Sequence, residues 1–272
     1  MGKVWAFFNL SGGVGKTTLT QNLGFHLNKE HGAKVLLVDI DPQASLTTFM
    51  GHSPTGFKTT ITDSILDTNQ QLTTVDCDWC HLAPTNIYLA KCEIKLGGVM
   101  QKEMRLKMVL DKVKDGYDII LIDCPPSLGQ LAINCLAAAD NLLIPIQTEY
   151  KSVEATINLL GMTYEIVGQI NPELKVFGVV PTMYDSRNKS HKESIEMITG
   201  VFEKVKKNPL FQNTVVFNPI PRRIDFATAT RKHCPLALHI KNHPALKKLS
   251  TIAEAIYGTL EQPISTRRVI NE

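Results

Sequence analysis

A glycine-rich loop with a lysine and two threonines is the segment of this sequence best suited to chemistry. Residues 9–18 read Asn-Leu-Ser-Gly-Gly-Val-Gly-Lys-Thr-Thr, with an apolar run before them and a helical pattern after them. A strand, a loop and a helix in this order are the setting of a phosphate-binding loop, whose backbone N–H groups point at the phosphates. The sequence therefore predicts that the chain binds a nucleoside triphosphate with Mg²⁺.

The residues of this loop have separate predicted roles. Lys16 is expected to reach the β- and γ-phosphates, and the Thr17 hydroxyl is expected to be a ligand of Mg²⁺. The standard pattern requires glycine six positions before the lysine, but Leu10 stands there, so the loop has the deviant form with paired glycines. The residues predicted to contact the nucleotide here are Ser11, Gly12, Gly13, Val14, Gly15, Lys16, Thr17 and Thr18.

Three aspartates follow apolar runs and are the candidate acidic groups of the same site. Asp123 ends the run 119–122, and we expect it in the outer coordination sphere of Mg²⁺. Asp39 and Asp41 follow a second run with one residue between them. Asp41 is predicted to orient the attacking water. Asp39 is predicted either to help position Mg²⁺ or to cap a helix, and Pro42 is compatible with the second alternative.

Short apolar runs alternate with helical stretches along the chain. This alternation predicts an α/β fold: a mostly parallel twisted sheet with helices on both faces, of the P-loop type, in a single domain spanning residues 1–272. The carboxyl ends of parallel strands meet at one edge, where ligand chemistry should gather. The polar stretch 51–74 is expected to be a surface loop or short helix. The predicted strands are residues 4–8, 35–39, 81–83, 119–123, 141–146, 176–180 and 215–219.

Composition indicates a soluble cytoplasmic protein. Of the 272 residues, 43% are hydrophobic and 20% are charged, and no apolar run approaches the roughly 18 residues of a membrane span. The N-terminus lacks the features of an export signal, so the six cysteines are expected to stay reduced. Cys77 and Cys80 have C-x-x-C spacing next to His81, but no second pair follows, and the spacing is interpreted as incidental.

Charge is unevenly distributed along the chain. Residues 189–272 contain 14 Lys/Arg against 7 Asp/Glu, whereas the first 188 residues contain 15 against 19. A basic C-terminal third predicts a polyanion partner, with DNA phosphates as the usual one, and the absence of interleaved aromatics indicates contact without sequence preference. The clusters include Lys204, Lys206 and Lys207, and the tail pair Arg267 and Arg268. The predicted DNA-binding residues are Arg223, Arg231, Lys232, Lys241, Lys247 and Lys248.

Several motifs together resemble the ParA/MinD family of partition ATPases over about residues 3 to 257. In family order they are Ser-Gly-Gly-Val-Gly-Lys-Thr-Thr, Val-Asp-Ile-Asp-Pro-Gln, Ile-Asp-Cys-Pro-Pro-Ser-Leu, Gln-Thr-Glu-Tyr, Pro-Thr-Met-Tyr-Asp and Ile-Pro-Arg. The resemblance implies an ATP-sandwich homodimer with Gly12 and Gly13 at the subunit contact. It also implies a purine side of the pocket formed by Met183, Pro221 and Arg222.

The resemblance further implies a positioning cycle. ATP closes the dimer, the dimer binds nonspecific DNA on the nucleoid, and a cargo-bound adaptor protein stimulates hydrolysis and release. In this cycle Asp41 is the hydrolysis residue and Asp123 lies near Mg²⁺.

Ser11 departs from the family pattern, which usually has lysine at this position. That lysine stabilises transition-state charge across the dimer, and a neutral hydroxyl cannot replace it. Lys151, after Gln147-Thr148-Glu149-Tyr150, is the candidate substitute, and a surface lysine at a helix start is the equally weighted alternative. Ser11 resembles the deviation of carboxysome-positioning members of the family, so carboxysomes are the favoured cargo.

Four other functions remain open from the sequence. A plasmid or chromosome partition ATPase would use the same core. A MinD-like membrane ATPase needs an amphipathic C-terminal helix, which the tail after Tyr257 does not predict. An iron–sulfur reductase needs bridging cysteines, but Cys124 and Cys135 are expected in the core. A metabolic kinase of the same fold would need a substrate pocket.

Overall fold

The computed structural model describes residues 2–260, apart from the side chains of residues 157–159, 162–164 and 166. The basic pair Arg267 and Arg268 lies outside the described residues, as does most of the tail on which the membrane alternative depends. The strands are β1 Lys3–Phe7, β2 Val35–Asp39, β3 Val75–Cys77, β4 Cys80–Ala83, β5 Ile119–Asp123, β6 Asn141–Gln147, β7 Lys175–Thr182 and β8 Val215–Val216. The α-helices are α1 Lys16–His31, α2 Ser45–Phe49, α3 Ile61–Leu66, α4 Leu89–Leu96, α5 Arg105–Asp111, α6 Gln130–Ala138, α7 Tyr150–Ile170, α8 Lys189–Val205, α9 Ile224–Arg231, α10 Leu236–His239 and α11 Pro244–Tyr257.

The strands form one eight-stranded sheet in the order β3-β4-β2-β5-β1-β6-β7-β8. Every neighbouring pair is parallel except β3 and β4, which form an antiparallel hairpin at the edge. The central strands β2 and β5 are buried at every position, because helices cover both faces of a parallel sheet. The predicted mostly parallel α/β sheet is confirmed.

Alternate side chains of β1 enter the two layers of the core. Trp5 and Phe7 pack in the layer that contains apolar residues of α1 and α11, while Ala6 and Phe8 pack with apolar residues of α6 and α7. This alternation is the period of two that a strand imposes on its side chains. Helices on both faces therefore leave only the ends of the strands open to a ligand.

Left-handed glycines set both ends of α1. Gly15 precedes the helix at φ 96°, and Gly32 ends it at φ 69° with its N–H donating to the carbonyl of Asn28. A side chain is strained in this backbone region, so glycine is the residue that allows the loop to turn directly into the helix. The phosphate-binding loop is thereby placed at the N-terminus of α1.

Two details differ from the prediction. Strand β3 is not predicted, since its sequence Val-Asp-Cys is short and partly exposed. The predicted strand at 215–219 is limited to β8, because Pro219 has no N–H for a ladder hydrogen bond. Within the polar stretch 51–74 the structure has α3, whose start is fixed by a capping box between Thr60 and Asp63. No helix of residues 2–260 has the length and apolar character needed to cross a membrane.

Candidate nucleotide site

Asn9 anchors the phosphate-binding loop to the sheet and to α7. Its side-chain amide donates to the carbonyl of Pro145 at 2.7 Å and to the Thr156 hydroxyl at 3.2 Å. Its side-chain oxygen accepts the N–H of Ser11 at 2.9 Å. Asn9 is itself buried, so these hydrogen bonds are shielded from water. They fix where the loop leaves β1.

Thr182 holds the middle of the same loop from β7. Its hydroxyl donates to the carbonyl of Val14 at 2.8 Å, and its carbonyl accepts the N–H of Thr148 at 3.1 Å. Gly13 and Gly15 have φ values of 73° and 96° in the segment that Thr182 holds. The loop is therefore shaped by its own glycines and fixed by contacts from β6 and β7.

Lys16 is buried at the start of α1. Its ammonium group donates to the carbonyls of Asn9 and Ser11, both at 3.0 Å. Burial lowers the pKa of Lys16, and the nearby carboxylates of Asp123 and Asp41 oppose this shift. The cation is thus held against the loop that phosphates would contact, as the predicted role requires.

Asp39 and Asp123 face each other on adjacent strands at the carboxyl edge of the sheet. They are register partners of β2 and β5, and both are almost completely buried. Asp39 accepts the Thr47 N–H at 2.8 Å, the Thr47 hydroxyl at 2.7 Å and the Asp41 N–H at 3.2 Å. These bonds tie Asp39 to the first turn of α2, which is the capping alternative predicted for it.

Asp123 has a different environment. Within the described residues, neither of its carboxylate oxygens makes a hydrogen bond of ordinary geometry. Burial, and next the charge of Asp39, raise the pKa of Asp123 well above its usual range, while the neighbouring Thr17 hydroxyl opposes the shift. A buried carboxylate with unbonded oxygens next to a threonine hydroxyl suits a hydrated divalent cation. These two residues therefore fit the predicted Mg²⁺ position.

No group of three or more His, Cys, Asp or Glu side chains in residues 2–260 is arranged to hold a metal by itself. Mg²⁺ bound with a nucleotide takes ligands from phosphates and water and only one or two from the protein. Thr17 and Asp123 are the residues that would hold it.

Two cavities adjoin the loop and share four lining residues. A cavity of about 240 Å³ is lined by the loop, Asp41 and Pro126. A larger one of about 640 Å³ is lined mainly by apolar side chains and by Arg222 and Arg223. The shared residues are Gly15, Thr18, Phe49 and Met183. The small cavity suits phosphates, and the large apolar one suits a base and ribose.

The structure brings the predicted purine residues together at the larger cavity. Met183, Pro221 and Arg222 all line it. Backbone contacts fix this part of the wall: the N–H of Arg222 donates to the carbonyl of Tyr184 at 2.9 Å, and Tyr184 pairs with Pro221 in an isolated bridge. Two segments that are separated in sequence thus form one side of the cavity.

Lys151 is the predicted catalytic residue that lines neither cavity. It is exposed in the first turn of α7, the helix whose Thr156 contacts Asn9. Gly12 and Gly13 are exposed and line the small cavity. Cys124 and Cys135 are fully buried core residues, as predicted.

The predicted DNA-binding residues have different environments. Five of them are exposed, namely Arg223, Arg231, Lys232, Lys241 and Lys247. The Lys248 ammonium donates to the carbonyl of Pro219 at 2.6 Å, and burial lowers the pKa of Lys248. Arg223 lines the larger cavity instead of standing apart with the other basic side chains.

Sequence reasoning missed several residues that build the site. Asn9, Thr47 and Thr182 hold the loop and Asp39 through side-chain hydrogen bonds, and Phe49 lines both cavities. Asn9 and Thr182 lie inside motifs that the sequence analysis recognised, so the motifs could have identified them as site residues. Thr47 and Phe49 follow a motif without belonging to it, and no local pattern marks them.

The environment of Asp39 predicts a measurable pH dependence of stability. Burial raises the pKa of Asp39 to about 7, against the hydrogen bonds from Thr47. The pKa of Asp39 is higher in the folded protein than in the unfolded chain. The contribution of Asp39 to the free energy of unfolding is therefore complete below the pKa of a free aspartate and is lost as pH rises through about 7. Between pH 5 and 7 the wild type should lose about 2 kcal/mol of unfolding free energy more than Asp39→Asn.

This prediction is checked by urea unfolding of the nucleotide-free, Mg²⁺-free protein at several pH values. The two proteins differ only at residue 39, so the difference between their slopes reports the effect of that residue. Parallel curves for wild type and Asp39→Asn would show that Asp39 is ionised throughout this range.

A parallel sheet, a phosphate-binding loop after its central strand and a buried aspartate at the end of the neighbouring strand define a P-loop nucleoside triphosphatase. Comparison with known proteins agrees with this class. Residues 2–176 match the AAA domain family AAA_31. The chain is 37% identical over 242 residues to the sporulation initiation inhibitor protein Soj of Bacillus subtilis, an alignment that covers 88% of this chain and 92% of Soj. The chain belongs to the ParA/MinD family of P-loop ATPases.

Solved structures show the same likeness. The apo structure of McdA from Cyanothece has a TM-score of 0.80 at 25% identity, covering 94% of this chain and 100% of that one. Cobyrinic acid a,c-diamide synthase from Mycobacterium smegmatis, with a bound ATP analog and magnesium, has a TM-score of 0.76 at 31% identity, covering 94% and 95%.

Proposed function

We propose that this chain is an ATP-driven positioning ATPase that dimerises on ATP, binds DNA without sequence preference and distributes a cargo through an adaptor protein. The observation that carries the proposal is the pair of adjoining cavities at the phosphate-binding loop, with Lys16 lining the smaller one and the buried carboxylate of Asp123 beside Thr17. Similarity to the chromosome-partitioning ATPase Soj of Treponema pallidum and the chromosome partitioning protein ParA of Myxococcus xanthus supports partition as the process that the ATPase drives. The proposed location is the nucleoid in the cytoplasm, without a membrane partner.

The chain's own residues divide the work of ATP hydrolysis in this proposal. The loop N–H groups and Lys16 bind the phosphates, and Thr17 and Asp123 hold Mg²⁺, with Asp39 fixing the α2 segment behind them. Mg²⁺, when bound, neutralises charge on the phosphate oxygens. Asp41 lines the phosphate cavity and orients the attacking water.

Lys151 is proposed to supply the cation that Ser11 lacks. It stands at the N-terminus of α7, which contacts the loop through the hydrogen bond between Asn9 and Thr156. The exposed side chain of Lys151 is proposed to contact a second subunit across the loop, where Gly12 and Gly13 are also exposed. A positive charge beside the transferred phosphoryl group stabilises the charge that develops there.

DNA binding is proposed for the exposed basic residues at the end of α9 and beyond it. Arg231, Lys232, Lys241 and Lys247 form this group, which we call the basic surface. Lys248 is excluded because its ammonium is bonded to a carbonyl, and Arg223 because it lines the nucleotide cavity. Contacts to phosphates alone give affinity without sequence preference.

The test of this function is DNA binding as a function of nucleotide and salt. With ATP, the wild type should bind nonspecific duplex DNA with a steep salt dependence, while ADP and no nucleotide should give weak binding. Each phosphate contact contributes about −0.9 to the log–log slope, so Arg231→Ala/Lys232→Ala should flatten the slope by about 2.

The matched control is Lys91→Ala/Lys95→Ala, which removes two exposed lysines from α4 and changes the net charge equally. Its salt slope should equal that of the wild type. DNA binding that ignores nucleotide, or a slope near zero in ATP, would contradict the positioning cycle. Such a result would favour a metabolic enzyme. The structural similarity to cobyrinic acid a,c-diamide synthase supports this alternative.

Two cargo classes have a specific observation in their favour. Ser11 and the similarity to McdA favour carboxysomes, with an McdB-like adaptor. The 37% identity to Soj favours a chromosome or plasmid, with a ParB-like adaptor. The adaptor that stimulates ATP hydrolysis in the presence of DNA decides between them, and we retain the carboxysome as the first candidate because Ser11 lies in the catalytic loop.

A further inference from the structure

The hairpin of β3 and β4 places two cysteines directly opposite each other. Cys77 and Cys80 are register partners in this antiparallel pair, with Asp78 and Trp79 between them in the turn. Opposed residues in antiparallel strands have Cα atoms about 4.5–5.5 Å apart. A disulfide needs roughly 4.4–6.8 Å between Cα atoms, so the backbone already has the required spacing.

A histidine contacts the more accessible of the two thiols. Cys77 is half-buried, and its sulfur lies 3.7 Å from Nε2 of His52. Hydrogen bonds from the Cys80 thiol and from His52 lower the pKa of Cys77 to about 6, against burial and the charge of Asp76. Burial raises the pKa of Cys80, which therefore stays a thiol. A thiolate beside a neutral thiol is the arrangement of an attacking and a resolving cysteine.

The turn itself is held firmly. Trp79 is buried and packs edge-on against Phe25 of α1 with ring centroids 5.6 Å apart. His52 is fixed by its backbone N–H, which donates to the carbonyl of Thr47 at 3.1 Å. The two sulfurs and the imidazole therefore keep their mutual positions in the folded protein.

The other cysteines do not combine partial exposure with a neighbouring thiol, since Cys124 and Cys135 contact each other but are buried. All six cysteines lie in the described part of the chain, and Cys92, Cys124 and Cys135 are fully buried. Cys234 is half-buried like Cys77, but burial raises its pKa. Cys234 therefore serves as an internal control of similar accessibility and ordinary reactivity.

We propose that Cys77 and Cys80 form a redox-active dithiol that hydroperoxides oxidise to a disulfide. The Cys77 thiolate attacks one peroxide oxygen, the O–O bond breaks, and the leaving alkoxide or hydroxide takes a proton, which leaves a sulfenic acid on Cys77. The Cys80 sulfur then attacks the Cys77 sulfur, and the hydroxyl departs with the Cys80 proton as water. Two thiols lose two electrons, and the peroxide is reduced to an alcohol or water plus one further water.

C-x-x-C spacing alone predicts an incidental pair, because the sequence shows neither a hairpin nor the approach of His52. The proposal rests on the strand register, which pairs Cys77 with Cys80, and on the contact between Cys77 and His52, which lie 25 positions apart. The proposal is independent of the ATPase function, so failure of one leaves the other standing.

The experiment treats the full-length reduced protein with hydrogen peroxide in slight excess at neutral pH. The wild type should lose two thiols and the mass of two hydrogen atoms, and peptide mapping should find the Cys77–Cys80 disulfide. Modification of Cys234 should be roughly tenfold slower or more. Cys80→Ser should stop at a sulfenic acid on Cys77 that dimedone traps, and His52→Ala should slow the reaction while Cys234→Ser leaves it unchanged.

Several results would overturn the proposal. These are loss of thiols first at Cys234, an equal rate for Cys77 in the folded and the urea-unfolded protein, or two-thiol oxidation that persists in Cys77→Ser. Differential alkylation of the wild type measures the rate at each cysteine without any substitution, so a variant that fails to fold does not prevent the decision.

Discussion

Lys16→Ala is expected to weaken ATP binding by roughly 100-fold, which corresponds to about 3 kcal/mol from charge-assisted hydrogen bonds to two phosphates. Lys16 is the cation already buried at the loop, where it also bonds the carbonyls of Asn9 and Ser11. Removing it takes away a phosphate ligand and leaves Asp123 without its nearest opposing charge. Calorimetry with ATP and Mg²⁺ measures the loss.

The matched control for this variant is Lys29→Ala, an exposed lysine near the other end of α1. It removes the same charge from the same helix and should bind ATP like the wild type. Circular dichroism and thermal melting of both variants separate a binding defect from unfolding. Undiminished affinity in folded Lys16→Ala would show that the nucleotide binds elsewhere.

The second large effect is expected from Asp41→Ala, which should reduce ATP hydrolysis by roughly 100-fold or more while leaving ATP affinity close to that of the wild type. Asp41 lines the phosphate cavity, and its Oδ1 accepts the N–H of Gln43 at 2.9 Å. Its contribution is proposed for the attacking water and not for nucleotide binding. The variant should therefore accumulate in the ATP-bound, DNA-binding dimer, which light scattering and DNA binding can both detect.

Two further variants test the proposed roles of Asp41 and Lys151. Asp41→Asn keeps the size of the side chain and should also be slow, because an amide cannot accept a proton as a carboxylate does. Lys151→Ala should lose hydrolysis together with ATP-dependent dimerisation, since its charge is proposed to act across the subunit contact. Normal hydrolysis in Asp41→Ala would remove this residue from the mechanism, and an unaffected Lys151→Ala would mean that Ser11 has no substitute there.

Local sequence was sufficient for the phosphate-binding loop and for the strand ends. Gly13, Gly15, Lys16 and Thr17 lie within one short loop, and in the structure all four line the same small cavity. Asp39 and Asp123 end apolar runs, and parallel pairing brings them into register. Such features are determined over a few residues, because backbone freedom, side-chain type and strand burial act locally.

The hydrogen bonds that determine the chemical role of each site side chain could not be predicted from the sequence. The oxygens of Asp39 accept hydrogen bonds from Thr47 and from the Asp41 N–H, whereas those of Asp123 make none of ordinary geometry with the described residues, although both aspartates end similar strands. Arg223, predicted with the DNA-binding residues, is exposed and also lines the larger cavity. Composition can group basic residues, but it cannot say which of them face the same side of the molecule.

The sequence by itself determined that the chain has a P-loop in a mostly parallel sheet, and it predicts which residues of that loop bind phosphates. Only the tertiary structure decided how the site is held and completed. The Thr182 hydroxyl donates to the carbonyl of Val14, which lies 168 residues away in sequence, and Phe49 lines both cavities. The physical reason is that loop shape follows from local backbone preferences, whereas a hydrogen bond or cavity wall between distant segments exists only after the sheet has brought them together.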